Sequence, residues 1–545
     1  MTSSIRFLLP VVLFALLGQP LQAQSTFQRT VDTLSGYWSS VVLENGDMVM
    51  SFPGTSTHHF LACNAQGEPL YRTSIPAPAG YRSISLAARP GGGFFAVAVV
   101  VDSLYGLAWQ PDSIVGTFEL YGFSDAGAMD LRRQFTTRFA TDSYDNQVEN
   151  IACDGSGIYI TVNRGNQATD QLRVLHTTLD GDLLWAKSYV IEGDGVPSFE
   201  QNYKLGMDGT GGLYFVRKMQ FNPTVIIGRI DSDGSLLWLK SIAYTQGFGF
   251  TLGDLVVRPD GTPVVVGSLN GAGMYAVAPD GSSVQGHIYT LPEGIDPFLS
   301  VASASPDGSL LAVSRLMGTI AGLRRAVILN VGSDFELINV RGTDIVTAGQ
   351  TEHGLRAYTI AHAGSNAVIL GNRFSQDTVF QSYSWHPTLW NVDLASDEGC
   401  MLTDPQVTHF TVPQDLITFE DRNILPISDI DVLWTPLAPE WSTEAPFTTS
   451  ELCSLLVGTP EHEGSPMGMV LYPNPGSPDG VINLSCADAA RFTVYSATGA
   501  TLLKLTSARG LTTSFSSAGL APGLYPVVAF GSNGQRIAVS KLEVR

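Results

Sequence analysis

Glycine-containing turns recur through most of the chain and divide it into short runs of β-forming residues. The clearest example is the similarity of Thr178–Ser188 to Asp231–Ser241, since both contain Asp, Gly and then Leu-Leu-Trp. Gly181 and Gly234 lie roughly 53 residues apart, a typical period for repeated small sheets. Because Asp-Gly and Asn-Gly accept the positive φ of tight hairpin turns, each such turn predicts a pair of antiparallel strands.

Two series of these turns alternate along the chain, and together they predict about seven units of four short strands. The first series is Asn45-Gly46, Gly91-Gly92, Asp154-Gly155, Asp208-Gly209, Asp260-Gly261, Asp307-Gly308 and Gly364-Ser365. The second series is Gln66-Gly67, Ala126-Gly127, Asp180-Gly181, Asp233-Gly234, Asp280-Gly281, Gly332-Ser333 and Glu398-Gly399.

Runs such as Thr262–Gly267 are apolar on both faces, so each sheet needs a neighbour on either side. The turns are similar to those of bacterial β-propeller repeats with an Asp-Gly-x-Leu-Leu-Trp pattern. We therefore expect an all-β fold, with a propeller of about seven blades over residues 24–404. A string of β-sandwiches is the alternative.

Three further segments set the expected domain boundaries. Phe27–Thr33 has a strand pattern and either closes the ring by pairing with the last blade or forms a loose end. Residues 405–457 lack the repeat turns and form either a last irregular blade or a small β-module. The Gly- and Pro-containing residues 458–468 are expected to be a linker.

The N-terminus has the features of a signal peptide. Arg6 precedes the apolar run Phe7–Leu17, which is too short to span a bilayer, and Ala23 is the expected cleavage residue. Gln24 would start the mature chain, with no Cys beside it to carry a lipid anchor. No later stretch predicts a transmembrane helix.

The C-terminal region carries a second set of motifs, in a fixed order. They are Tyr472-Pro473-Asn474-Pro475, Val494-Tyr495-x-x-x-Gly499, Leu520-x-x-Gly523-x-Tyr525 and the basic terminal strand Arg536–Arg545. Together they resemble the type A C-terminal sorting domain of the type IX (Por) secretion system of the Bacteroidota.

This resemblance implies an Ig-like β-sandwich over residues 469–545. It also implies that an outer-membrane translocon recognises this domain after the chain reaches the periplasm. The cargo would then be secreted or held at the cell surface. Pro526 departs from the family pattern and is expected at a strand edge, because proline cannot donate to a β-ladder.

Composition excludes one class of partner. Charged residues make up 15% of the chain and the net charge is −20, so there is no basic footprint for nucleic acid. The acidity is typical of a protein that must stay soluble outside the cell. The Asp residues of sequences such as Asp231-Ser232-Asp233-Gly234 are expected to stabilise turns rather than bind calcium, since the ligands of an EF-type loop are missing.

No catalytic or cofactor motif is visible, so catalytic residues stay unknown and no cofactor or metal is expected. Gly-x-Ser-x-Gly is missing, and His462-Glu463 lacks the second His of a zinc protease motif. The adjacent His58 and His59 are expected in a solvated loop. Of the five cysteines, Cys400 and Cys453 form the candidate disulfide.

These patterns favour a non-enzymatic cargo protein whose propeller binds an extracellular glycan or protein. The alternative is a secreted hydrolase or lyase that acts on polysaccharide or peptide, because propellers support both kinds of function. Several aromatic side chains are candidates for stacking on sugars, although core packing is their commoner role. They are Tyr37, Trp38, Trp109, Trp385 and Trp390.

Overall fold

The structure is a computed structural model. It describes residues 27–31, 39–54, 56–77, 84–100, 114–139, 146–164, 171–191, 203–218, 224–244, 251–268, 272–290, 297–316, 326–343, 353–363, 366–377, 382–394, 402–403, 407–423, 427–430, 432–444, 449–454, 469–474, 476–477, 480–486, 489–496, 501–507, 512–531 and 536–544. The chain divides into two compact units, Phe27–Cys453 and Ser454–Arg545. The expected signal peptide with its cleavage residue Ala23 and the expected linker over residues 458–468 lie outside the described residues.

The larger unit contains, among the described residues, seven antiparallel sheets of five strands. The first four strands of each sheet come from the repeat. Sheet 1 is β2 (Ser39–Val42), β3 (Met48–Pro53), β4 (Thr57–Cys63) and β5 (Pro69–Pro76); sheet 2 is β6 (Ile84–Ala88), β7 (Phe94–Val100), β8 (Ile114–Phe123) and β9 (Met129–Phe139); sheet 3 is β10 (Asn146–Asp154), β11 (Gly157–Arg164), β12 (Gln171–Thr177) and β13 (Leu183–Val190); sheet 4 is β14 (Lys204–Met207), β15 (Leu213–Lys218), β16 (Val225–Ile230) and β17 (Leu236–Tyr244). Sheet 5 is β18 (Thr251–Val257), β19 (Pro263–Ser268), β20 (Ala272–Val277) and β21 (Val284–Thr290); sheet 6 is β22 (Pro297–Ala304), β23 (Leu310–Leu316), β24 (Ala326–Val331) and β25 (Leu337–Thr343); sheet 7 is β26 (His353–Ala363), β27 (Asn366–Asp377), β28 (Ser382–Asp393) and β1 (Phe27–Val31).

The fourth strand of sheet 7 comes from the N-terminus of the described chain. Phe27 to Thr30 of β1 pair antiparallel with Asn391 to Thr388 of β28. The ring-closing alternative for this segment is therefore confirmed. The turn expected at Glu398-Gly399 lies outside the described residues, and β1 occupies the position of the strand expected after it.

Neighbouring sheets contact each other through their first strands, from β2 to β6 and onward to β26, and β26 contacts β2. The contacts therefore return to their starting sheet, which is the propeller-like arrangement that the repeat predicts. A separate apolar core lies between each pair of neighbours. In β19, for example, Val265 belongs to the core with sheet 4, and Val264 and Val266 belong to the core with sheet 6.

The Asp-Gly-x-Leu-Leu-Trp pattern is explained by contacts between sheets. The indole Nε1 of Trp185 in sheet 3 donates to the carbonyl of Ser232, in the β16–β17 turn of sheet 4, at 2.7 Å. Trp238 of sheet 4 makes the same contact with Pro279, in the β20–β21 turn of sheet 5, at 3.0 Å. In these two repeats, the tryptophan therefore holds the turn of the next repeat.

Residues 405–457 form neither an irregular blade nor a separate module, so both alternatives were wrong. Instead, residues 402–454, which we call the strap, contain seven short strands among the described residues. Each pairs with the outer strand of a different sheet, in the order of sheets 6, 5, 4, 3, 2, 1 and 7. In chain order they are β29 (Leu402–Thr403), β30 (Thr408–Val412), β31 (Ile417–Asp421), β32 (Ser428–Asp429), β33 (Val432–Pro436), β34 (Ser442–Glu444) and β35 (Thr449–Ser454), with a 3₁₀ turn at Gln414–Leu416. The unit thus extends to Cys453, beyond the boundary expected at residue 404.

The C-terminal unit consists of two antiparallel sheets around one core. The core includes Ile482 and Leu484 from one sheet and Phe492, Val494 and Leu542 from the other. The three-stranded sheet is β36 (Val470–Tyr472), β37 (Val481–Ser485) and β40 (Thr513–Ser516), and the four-stranded sheet is β39 (Thr501–Thr506), β38 (Arg491–Tyr495), β41 (Gly523–Phe530) and β42 (Arg536–Val544).

The turn glycines allow a matched test of the contact between repeats. Gly281 has φ +69° and a Cβ there would lie 2.7 Å from the Trp238 ring, whereas Gly261 has φ +82° and open space around it. We expect Gly261→Ala to cost about 1 kcal/mol through backbone strain, and Gly281→Ala to cost about 3 kcal/mol because overpacking is added. Urea denaturation of both variants measures this, and equal costs would contradict the contact.

Candidate functional site

His58 and His59 lie on strand β4 and are buried, so the expectation of a solvated loop was wrong. They are 1% and 7% exposed. Burial lowers the pKa of His58 to about 3. Burial also lowers the pKa of His59; the nearby Arg72 guanidinium adds to this effect and the Glu444 carboxylate opposes it. Both imidazoles are therefore neutral near pH 7.

His59 belongs to a polar cluster where the strap strand β34 joins sheet 1. Its Nδ1 lies 2.7 Å from Ser74 Oγ and 3.4 Å from Glu444 Oε1. The Ser74 hydroxyl donates to the same carboxylate oxygen, and Arg72 Nε lies 2.9 Å from Glu444 Oε2. The cluster brings a serine, a histidine and a glutamate together although Ser74 and Glu444 are 370 residues apart in sequence.

This geometry differs from that of a hydrolytic Ser-His-acid triad. A triad histidine uses one ring nitrogen for the serine and the other for the acid, so that it can take the serine proton. Here both Ser74 and Glu444 face Nδ1 of His59, and the serine proton is directed at the carboxylate. Ser74 is also only 1% exposed, so substrate has no access to it. The cluster holds the strap in place.

A second histidine contact joins the strap to sheet 5. His287 Nδ1 on β21 and His409 Nε2 on β30 lie 3.1 Å apart. His287 stacks on Phe335 at a ring distance of 4.3 Å, and His409 Nδ1 lies 3.5 Å from Glu336 Oε2. Burial, with a smaller contribution from the neighbouring His409, lowers the pKa of His287 to about 4. The sequence had not indicated this pair, because its members are 122 residues apart.

On the inner strands, Asp254 links two sheets. Its carboxylate accepts hydrogen bonds from the backbone N–H of Leu255 at 3.0 Å and of Ala302, in sheet 6, at 3.1 Å. Burial raises the pKa of Asp254, while Lys204 and these hydrogen bonds oppose the rise. The carboxylate is therefore engaged in joining β18 to β22.

The turn aspartates bind their own backbone. Asp231 Oδ1 accepts from Ser232 N–H and Asp233 Oδ1 from Ser235 N–H, each at 2.8 Å. The same hydrogen bonds lower the pKa of Asp233. These contacts are the turn-forming ones that the sequence predicts. Across the described ranges, no group of three or more His, Cys, Asp or Glu side chains is placed to hold a metal ion.

The remaining candidates from the sequence are distributed as follows. Trp390 is 3% exposed and packs in the core between sheets 6 and 7. Tyr37, Trp38, Trp109 and Cys400 lie outside the described residues, as do the side chains of Trp385 and Cys453, so the proposed disulfide is untested. Cys153 and Cys486 are free thiols, and Cys63 is buried at the end of β4. No helix in the described part of the chain is long and apolar enough to cross a membrane.

The Tyr-Pro-Asn-Pro motif lies beside the terminal strand β42 of the C-terminal unit. Asn474 Nδ2 donates to the Lys541 carbonyl at 2.6 Å, and its Oδ1 accepts from Glu543 N–H at 2.8 Å. The bond between Tyr472 and Pro473 is cis, and Tyr472 is 49% exposed. Asn474 thus fastens the motif to β42, while Tyr472 faces solvent.

The other motif residues lie on or near β41. Gly523 begins this strand, and the hydroxyl of Tyr525 donates to the Ala521 carbonyl at 2.5 Å. Pro526 pairs with Lys541 of β42, but the pairing of β41 with β38 starts one residue later, at Val527. Pro526 therefore has a neighbouring strand on one side, as the sequence predicts. Pro475 and Gly499 lie outside the described residues.

Comparison with known proteins shows no matching family model and no matching curated protein. A protein of unknown function from Bacteroides caccae has 11% identity and a TM-score of 0.34, with 60% of this chain and 97% of that chain covered. The Dos1 propeller has 7% identity and a TM-score of 0.37, with 67% and 79% covered. The parainfluenza virus 5 hemagglutinin-neuraminidase ectodomain has 8% identity and a TM-score of 0.38, with 68% and 83% covered. Likenesses this weak carry no argument about function, and the fold description rests on the strand pairing.

The holding role of the Glu444 cluster is testable with two strap glutamates. Glu444→Ala removes the acceptor of buried Ser74 and the ion partner of Arg72, so we expect a loss of about 2 kcal/mol in unfolding free energy. Glu440 is 67% exposed and lies 3.4 Å from Arg132, so Glu440→Ala is expected to cost less than about 0.5 kcal/mol. Chemical denaturation compares them. A smaller effect for Glu444→Ala than for Glu440→Ala would refute this role.

Proposed function

We propose that this chain is an exported type IX secretion cargo. Residues 1–23 direct it to the periplasm, and an Ig-like domain over residues 469–545 directs the second crossing. The observation that carries this proposal is the arrangement of the Tyr-Pro-Asn-Pro motif. Asn474 is fastened to β42 by two hydrogen bonds, so the motif and the basic terminal strand form one surface element with Tyr472 exposed.

We further infer that the seven sheets are the blades of a seven-bladed propeller that serves as a binding scaffold, at the cell surface or in the medium. The cluster of Ser74, His59 and Glu444 comes nearest to catalytic residues, and it is buried and engaged with the strap. A scaffold role requires no reactive group. The ligand class expected from the sequence is a glycan or a protein.

The alternation of strands suggests which end of the sheets binds. The tight glycine turns join first to second strands and third to fourth strands, so they share one end. The second strand of each sheet ends, and the third begins, at the opposite end. The fourth strand also ends there, and the first strand of the next sheet begins there. Several of the connections at this opposite end are longer, such as residues 101–113 and 192–202. Longer connections on a rigid scaffold are where binding residues concentrate.

The export proposal predicts the fate of a truncated chain. Deleting residues 469–545 is expected to leave the larger unit folded but held in the periplasm, because the two units have separate cores. Fractionation of a producing strain with a working type IX system measures this. A chain that also lacks residues 1–23 is the control and should stay in the cytoplasm. Wild-type levels of the truncated protein in the medium, without lysis, would disprove the sorting role.

The scaffold proposal predicts binding without turnover. The purified protein is expected to retain a glycan or peptide on an array, while the same ligands incubated with it stay chemically unchanged. A product detected by mass spectrometry would instead support a hydrolase or lyase. In that case Ser74→Ala distinguishes the possibilities further: lost turnover would assign the chemistry to the strap cluster and contradict our interpretation of it.

A further inference from the structure

We propose that the strap is a releasable closure, and that acid detaches its β30 segment from sheet 5 because two imidazoles, those of His287 and His409, face each other across this pairing. The inference concerns a conformational change within the larger unit. It does not depend on the proposed export route or on the ligand.

The facing ring nitrogens accommodate one proton. His287 Nδ1 and His409 Nε2 lie 3.1 Å apart, so one of them must carry hydrogen and the other must offer its lone pair. When both rings are protonated, two donors and two positive charges face each other at this distance. The hydrogen bond is then lost and replaced by repulsion. Detachment of β30 separates the rings and lets water solvate both.

The surroundings of the two rings differ. His287 is 1% exposed and stacks on Phe335 at 4.3 Å, and its Nε2 has no hydrogen-bond partner among the described residues. His409 stacks on Tyr289 at 4.8 Å and faces the carboxylate of Glu336, which is 73% exposed. His409 therefore has an acidic neighbour.

Two other charged groups lie near the pair. Asp334 belongs to the same turn as Glu336, and both raise the pKa of Tyr289. The guanidinium of Arg258 lies 5.5 Å from the centre of the Phe335 ring, on which His287 stacks. Arg258 thus adds positive charge on the side of Phe335. Burial opposes a proton on His287, and the neighbouring His409 opposes it further.

The direction of the pH effect follows from these positions. The pKa of His287 is about 4 in the closed structure, below its ordinary value of 6.5. A group with a depressed pKa binds its proton more readily in the open state, so protons favour opening. The attachment of β30 is complete above about pH 6.5 and weakens as the pH falls from 6.5 toward 4.

Besides its five-residue backbone pairing with β21, β30 makes few side-chain contacts with the sheet. Of its five residues, Val412 is buried, whereas Thr408, Phe410 and Thr411 are exposed. The adjoining Gln414 side chain donates to the Val284 carbonyl at 2.9 Å. Because few apolar contacts oppose it, local opening at β30 requires much less free energy than opening of a whole sheet.

The strap contact at sheet 1 responds differently and provides an internal control. There His59 lies 3.4 Å from the Glu444 carboxylate, and Arg72 also binds this group. Burial and Arg72 oppose a proton on His59, as burial opposes one on His287. However, no second imidazole faces His59 across this contact, and the ion pair of Arg72 with Glu444 also holds β34 to sheet 1. We expect β34 to stay attached while β30 detaches.

Hydrogen exchange of the full chain, read by mass spectrometry at pH 7.5 and 4.5 and corrected for the intrinsic pH dependence of exchange, tests the proposal. The expected result is a roughly tenfold loss of protection at pH 4.5 in peptides covering β30. Peptides covering β34 and the strands of sheet 3 should keep their protection. Equal protection of β30 at both pH values, or simultaneous loss in every sheet, would overturn the proposal.

Two variants separate the histidine pair from general acid sensitivity. His409→Gln keeps a hydrogen-bonding side chain and removes the second imidazole, so the pH dependence at β30 should become smaller, leaving only the part that burial of His287 causes. His176 is buried, stacks on Tyr159 at 4.0 Å, and has its pKa lowered by burial to about 4, but it lies in sheet 3 away from β30. His176→Phe should leave the pH dependence intact. An undiminished pH dependence in His409→Gln, or a diminished one in His176→Phe, would refute the assignment.

Discussion

The larger unit depends on one constraint: each four-stranded sheet has two apolar faces and needs a neighbour against each. Adjacent residues of β19 show this, since Val264 and Val265 belong to cores on opposite sides of the strand. Such a series of sheets is stable only when it closes, because an open series leaves two faces in water. Closure is made by the core between sheets 7 and 1, where Leu370 and Met50 pack together, and by β1 in sheet 7.

The strap meets a second requirement, which is that the outer edges of the sheets must be paired. An unpaired outer strand presents backbone donors and acceptors that promote aggregation. The strap pairs with all seven outer strands, but its own side chains bury little surface. Its attachment therefore relies on backbone pairing and on polar contacts such as Arg72 with Glu444 and Lys240 with Asp421, whose Nζ and Oδ1 lie 2.7 Å apart. Polar contacts depend on pH and salt more than apolar ones do, and this is why the strap is the adjustable part of the unit.

The repeat could be predicted from sequence because its signals are local. A glycine with positive φ, such as Gly181 or Gly234, and a following Leu-Leu-Trp specify a turn and the contact it makes. The strap gave no such signal, since its strands are short and their partners lie hundreds of residues away. The same distance hid the contact of Ser74 with Glu444. The prediction of a solvated loop for His59 was wrong because two adjacent histidines suggest exposure to solvent, whereas strand β4 is covered on both faces.

The topology also orders the last steps of folding. β1 lies between β28 and β35, so the first strand of the unit and the last strand of the strap are neighbours in sheet 7. β35 pairs with sheet 7 through β1, so it joins this sheet only after β1 has joined β28. The pairing of β1 with β28 in turn requires the two ends of the repeat to meet. The loop closed by that meeting spans most of the unit, so its entropic cost is large. Docking of β35 therefore follows ring closure, and the residues that lead to the C-terminal unit leave from a sheet that is complete only in the closed ring.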